Sequence, residues 1–191
     1  SRKKMLEKME LEDIPVTSRK FPYVGFQPER EIGNFVLTAE KLNSKDDDGN
    51  VLLNDFSITI HPGEKVAFVG MEHNSITSFF DIVSETKKPE SGTYSWGQTT
   101  SHSYMGRDNS AYFNNELTIT DWLKQYSPDQ DDAYVRGFLG RMLFSGDDGL
   151  KKVKVLSGGE KVRCMLSKMM LSGANVLILD DPTNHLDLES I

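Results

Sequence analysis

The sequence predicts an α/β fold: a mostly parallel core sheet with acidic residues at its carboxyl edge, an antiparallel β section at one side, and an inserted helical section. Two stretches carry most of this expectation. In the first, Ser157, Gly158 and Gly159 precede apolar positions Val162, Met165, Leu166, Met169 and Met170 at helical spacing, with Lys161, Arg163 and Lys168 between them. Glycines at a helix start let a ligand approach the backbone. The free N–H groups and the positive dipole end there suit an anion. Glu160 stands in the first turn, where a carboxylate is favoured. In the second stretch, Ser172 and Gly173 stop the helix and 176–179 reads as a fully buried strand of a parallel sheet. Asp180 and Asp181 follow at its carboxyl end, a place that suits Mg²⁺ and water activation better than core packing.

The remaining elements follow in chain order. Residues 1–10 read as the end of a helix with Met5 and Met9 on one face. Pro22 and Pro28 then exclude regular helix, and Phe21, Tyr23 and Phe26 pin an extended strap onto the domain rather than stack on bases, because the segment is nearly neutral. Residues 35–42 alternate loosely as an outer strand. The acidic run at 44–50 is a solvated hairpin tip, without the spaced ligands of a calcium loop, and leads into a second strand at 51–60. A turn at 61–64 precedes a buried strand at 65–69, ending at Gly70. In the helix after it Ile76, Phe79, Phe80 and Val83 share a face, Lys87 and Lys88 occupy the last turn, and Pro89 terminates it. Short strands follow at 91–96 and 101–105. Helices at 117–126 and 133–144 are divided by a polar turn.

The run LSGGE, a helix, then VLILDDPTNHLD resembles the signature motif, Walker B strand and D-loop of ABC-type ATPases, and PTNHLD resembles the ABC-F branch. The resemblance covers about residues 34–191. It implies a P-loop NTPase fold of ABC type, with 1–32 as the end of an interdomain linker and 33–191 as a nucleotide-binding domain that would continue past Ile191 into a strand carrying a switch histidine. It also implies ATP and Mg²⁺ as ligands. Two such domains meet head to tail, so Ser157, Gly158, Gly159 and Glu160 would serve a nucleotide held by a sister domain. Asp180 would face Mg²⁺. Asp181 stands where the family has the catalytic Glu, and His185 and Asp187 lie in the D-loop.

The Walker A position is degenerate. Aligned on Gly70, the chain carries Asn74, then Ser75 for the second glycine, Ile76 for the lysine, and Thr77 and Ser78 for the hydroxyls, of which Thr77 would reach Mg²⁺. Losing a charge-assisted hydrogen bond of about 1.5–3 kcal/mol weakens phosphate binding by about tenfold to a hundredfold. The aromatic that usually stacks on adenine is replaced by Ser, Lys and Asp. Arg107 falls at the Q-loop glutamine position, as a surface residue or as a replacement positive charge. The resemblance therefore implies an asymmetric ATPase whose own site is slow. Its ABC-F character implies a soluble chain with no membrane domain and the ribosome, rRNA or tRNA as partner through the linker. A silent ABC-fold interaction domain and a transporter ATPase subunit are the alternatives.

Composition agrees with one substantial core plus a tail: 191 residues, 37% hydrophobic and 27% charged. No apolar run approaches the ~20 residues that cross a bilayer, and SRKKMLEKMELED lacks the apolar core of a secretion signal, so a cytoplasmic location is expected. The single Cys164 excludes a disulfide framework and reads as a packed thiol. The formal charge of −7 argues against holding nucleic acid by bulk charge.

Overall fold

The computed structural model describes residues 22–183. The expected helix at 1–10, Phe21, and the D-loop residues His185 and Asp187 lie outside the described residues. Two cores meet at a two-stranded wall. β1 (Leu37–Lys45) pairs antiparallel with both β2 (Val51–Ile60) and β3 (Ser91–Trp96), giving the sheet order β2-β1-β3. The tip between β1 and β2 is the expected hairpin. Asp46 accepts the N–H groups of Asp48 and Asn50 and the Asn50 amide, and these bonds hold its carboxyl below the usual range.

Against this sheet packs α1 (His73–Val83), with Phe79, Ile82 and Val83 buried against Val36, Leu37, Ala39 and Leu42. The helix ends at Val83, before Lys87 and Lys88. Glu85 takes a φ of 66°, and the N–H groups of Thr86 and Lys87 both turn back to Asp81 O. The lysines are therefore beyond the last turn that the sequence assigned to them.

β4 (His102–Met105) and β5 (Val176–Leu179) pair in parallel, with Tyr104 opposite Ile178 and Met105 opposite Leu179. Alternate side chains of a strand point to opposite faces. Tyr104 and Ile178 accordingly pack with the α1 core, while Met105 and Leu177 pack with the helical one. The helical core is built by α2 (Ile119–Lys124), α3 (Asp132–Arg141) and α4 (Gly158–Leu171). Trp122 is its largest buried side chain, stacked on Phe113 at 5.1 Å and donating its indole N–H to Tyr112 O at 2.8 Å.

Two expectations about strands need correction. Residues 65–69 form no strand and join no ladder, and Val69 is 94% exposed. β5 is not fully buried either: Ile178 is enclosed, but Leu179 is 36% exposed. The physical reason is the same for both. A cleft of about 210 Å³, lined by Val66, Phe68, Ile178 and Leu179, separates the segment from the β5 edge, so neither covers the other.

The strap from residue 22 is held by backbone bonds rather than by its aromatics alone. Tyr23 N–H donates to Arg141 O, and Glu29 N–H to Gly173 O, both at 2.9 Å. Phe26 packs on the helical core, whereas Tyr23 is 56% exposed.

Candidate functional site

The site lies where β4 and β5 end. Parallel pairing carries Gly106 and Arg107 out of the sheet beside Asp180 and Asp181, and Asp180 N–H donates to Met105 O at 2.9 Å. This is the carboxyl edge where open α/β sheets place their ligands.

α1 reaches that edge from the other side through two polar contacts. Thr77 Oγ1 donates to Asp180 Oδ2 at 2.6 Å, and the Tyr104 hydroxyl donates to Asp81 Oδ1 at 3.0 Å. Thr77 and Asp81 are four residues apart and so share a face of the helix. Burial and the neighbouring Asp81 carboxylate push the Tyr104 phenol far up, which keeps it a hydrogen-bond donor. The Asp81–Tyr104 pair was missed in the sequence. The i, i+4 spacing puts Asp81 on the face of Thr77, but no local signal pairs it with Tyr104.

The Walker A residues are arranged differently from a phosphate-wrapping loop. Helix α1 already begins at His73, so Asn74, Ser75 and Ile76 are helical, and its N-cap residue Glu72 makes no side-chain cap bond. Gly70 is exposed, and Ile76 Cδ1 lies 3.9 Å from where a Cβ on Gly70 would stand. Ile76 is thus in contact range of the glycine, which stays open to solvent. Ser78 turns inward, 3% exposed, with its hydroxyl 2.8 Å from that of Ser44, and lines none of the clefts at this edge.

On the opposite side stands the start of α4. Ser157 is its N-cap and forms a capping box: Glu160 N–H donates to Ser157 Oγ, and Ser157 N–H donates to Glu160 Oε2 at 2.8 Å. Hydrogen bonds from Ser157 and the Lys151 ammonium at 3.3 Å hold the Glu160 carboxyl below its usual range, against the opposing effect of burial. Ser157 and Gly158 are exposed. The amides of a first helical turn have no intrahelical acceptor, which leaves those of Gly158 and Gly159 for an outside one. A cleft of about 340 Å³ connects this helix start to the sheet edge, with Arg107, Gly158, Lys161, Asp180 and Asp181 in its wall. A second, of about 560 Å³, runs over Asn74 and Thr77 and shares Arg107.

Thr77 and Asp180 present a hydroxyl and a carboxylate oxygen together, the donor type that Mg²⁺ prefers. Asp181 is exposed, with a φ of 53° that turns the chain sharply after β5. Cys164 is buried in α4, and burial pushes its thiol up to about 12.

The profile of the ABC transporter family matches residues 53–184. This chain belongs to the ABC family of ATP-binding domains. It is 58% identical over its whole length to YkpA of Bacillus subtilis, described as an uncharacterized ABC transporter ATP-binding protein. It is 36% identical, again over its whole length, to the probable ATP-binding protein YbiT of Escherichia coli O157:H7. Over 86% of the chain it is 30% identical to the energy-dependent translational throttle protein EttA of Escherichia coli K12. The chain spans 36% of the length of YkpA and of YbiT, and the EttA match spans 30% of that protein. In fold it is similar to CbiO1 of Clostridium perfringens, part of an ABC transporter complex, with a TM-score of 0.57 and 21% identity over 83% of this chain and 70% of that one. Among the described residues no helix is long and apolar enough to cross a membrane.

Proposed function

We propose that this chain is a nucleotide-binding domain of an ABC-F protein acting in the cytoplasm. It pairs head to tail with a sister ABC domain, and Ser157, Gly158 and Gly159 serve an ATP held by that sister. The observation that carries this reading is the exposed start of α4, where the capping box fixes the turn and the glycine amides have no intrahelical acceptor, an arrangement that suits an anion. Similarity to YbiT and EttA supports the ABC-F branch, and the word "translational" in EttA's name supports the ribosome, through rRNA or tRNA, as partner of the whole protein.

The chain's own Walker site is the weaker of the two. Thr77 and Asp180 would hold Mg²⁺, which when bound neutralises the charge of the β- and γ-phosphates. Asp181 would orient the attacking water, but its carboxylate is withdrawn by about 1.5 Å relative to a Glu. A misplacement of ~1 Å costs on the order of a hundredfold in rate. With α1 beginning at His73 and the apolar Ile76 in the lysine's place, this site binds ATP weakly and turns it over slowly or not at all. The same two features favour the second reading, a silent ABC-fold interaction domain.

Co-sedimentation of the full-length protein tests the branch. With a non-hydrolysable ATP analogue the protein is expected to sediment with ribosomes, and less so without nucleotide. Recovery with membranes instead would overturn the ABC-F reading in favour of a transporter ATPase.

A further inference from the structure

The Walker position has lost its cation, yet the cleft above it has one. Where the lysine would stand, Ile76 is half-buried and faces Gly70 and the apolar side of the sheet edge, beside Phe68 and Phe80. The cleft over Asn74 and Thr77 is closed from the far side by the loop after β4. Among the described residues in its wall, Arg107 is the only Lys or Arg. Arg107 follows β4 by two residues and stands beside the Thr77–Asp180 pair, because Met105 is paired with Leu179. The loop is fixed just beyond it, where Asp108 Oδ1 accepts Ser110 N–H at 2.8 Å. Arg107 is exposed, and none of the ion pairs between described residues includes it.

We propose that Arg107 does the work of the absent lysine, gripping the phosphates of a Mg-nucleoside triphosphate from the β4 side of the cleft instead of from α1. This rests on the reading that the chain's own Walker site accepts a Mg-nucleotide. A guanidinium presents donors in a planar fork that matches two phosphate oxygens at once, and its charge does not depend on pH. The other polar groups in that wall include the carboxylates of Asp81 and Asp108, which repel a bare polyphosphate. Arg107 and the metal pair would therefore have to act together. Lys161 lines the signature-side cleft, 5.8 Å from the centre of the Phe113 ring, and Lys168 lies 3.9 Å from the centre of the Tyr112 ring. Neither lysine is among the residues lining the cleft over Thr77.

Calorimetric titration of the whole chain with Mg-ATP, and with AMP as a probe that lacks the outer phosphates, tests the assignment. Arg107→Ala is expected to weaken Mg-ATP by about tenfold to a hundredfold, the worth of one charge-assisted contact. AMP affinity should be unchanged, and Arg107→Lys should retain Mg-ATP binding within about fivefold, since charge survives and only the fork is lost. Equal thermal midpoints establish that the variants are folded, as expected for an exposed side chain. Unchanged Mg-ATP affinity in Arg107→Ala overturns the role of Arg107 and leaves the site reading standing. No Mg-ATP binding by the unsubstituted chain overturns both.

Discussion

At Thr77 one hydroxyl joins the start of α1 to the end of β5, and the contact is half structural. Asp180 is 8% exposed, so its carboxylate depends on that donor when no metal is present. Thr77→Val is expected to lose about 1–3 kcal/mol of stability, read by urea denaturation in EDTA. It should also remove the Mg²⁺ dependence of nucleotide binding. Cys164 gives a pH-dependent prediction. Its thiol is raised from an ordinary value of 9.0 to about 12 by burial, so the folded protein holds the proton more tightly than the unfolded chain. The stability this contributes is complete below pH 9 and is lost as pH rises towards 12. Native protein should therefore resist an aromatic disulfide reagent at pH 8 and react at the rate of an ordinary thiol once unfolded in urea. Rapid labelling of the native protein would contradict the burial. The packed character of Cys164 was legible because it lies between the apolar positions Val162 and Met165 of the helix. The Asp81–Tyr104 bond was not, because it joins residues 23 apart that only the packing of α1 on β4 brings together.

Among the elements, α4 was legible at both ends because its boundaries are local chemistry. Ser157 and Glu160 form the cap within one turn, and Gly173 takes the positive φ of 59° that ends the helix. The segment at 65–69 was not, since a strand needs a neighbour at hydrogen-bond distance and no local pattern reports that distance. The end of α1 was misplaced for a similar reason. Lysines before a proline resemble a last turn, but the left-handed Glu85 had already closed the helix at Val83. The helical section encloses the larger of the two buried cores. Trp122→Ala, which empties the centre of that core, should cost about 3–5 kcal/mol in urea denaturation. A loss below about 1 kcal/mol would contradict the burial of Trp122 in the helical core.

Across the whole molecule, β4 and β5 act as the wall between a core that carries the Walker residues and a core that carries the signature helix. The ABC assignment was readable from LSGGE and VLILDD because these motifs keep their spacing. Ser75 and Ile76 stand where a Walker A loop has its glycine and lysine, and the proposal of a weak own site starts from them. The sequence did not show that α1 would start as early as His73, since that follows from packing. The proposed inequality of the two half-sites leads to the central claim, that this chain lends an intact helix start to a nucleotide it does not hold. The most direct measurement is steady-state ATP hydrolysis by the full-length protein carrying Gly158→Asp or Asp181→Asn, with thermal midpoints to establish folding. A carboxylate at the helix start should abolish phosphate approach, so Gly158→Asp is expected to lower turnover by about a hundredfold or more, while Asp181→Asn changes it by less than about threefold. The reverse order, with Asp181→Asn silencing the enzyme and Gly158→Asp tolerated, would contradict the account.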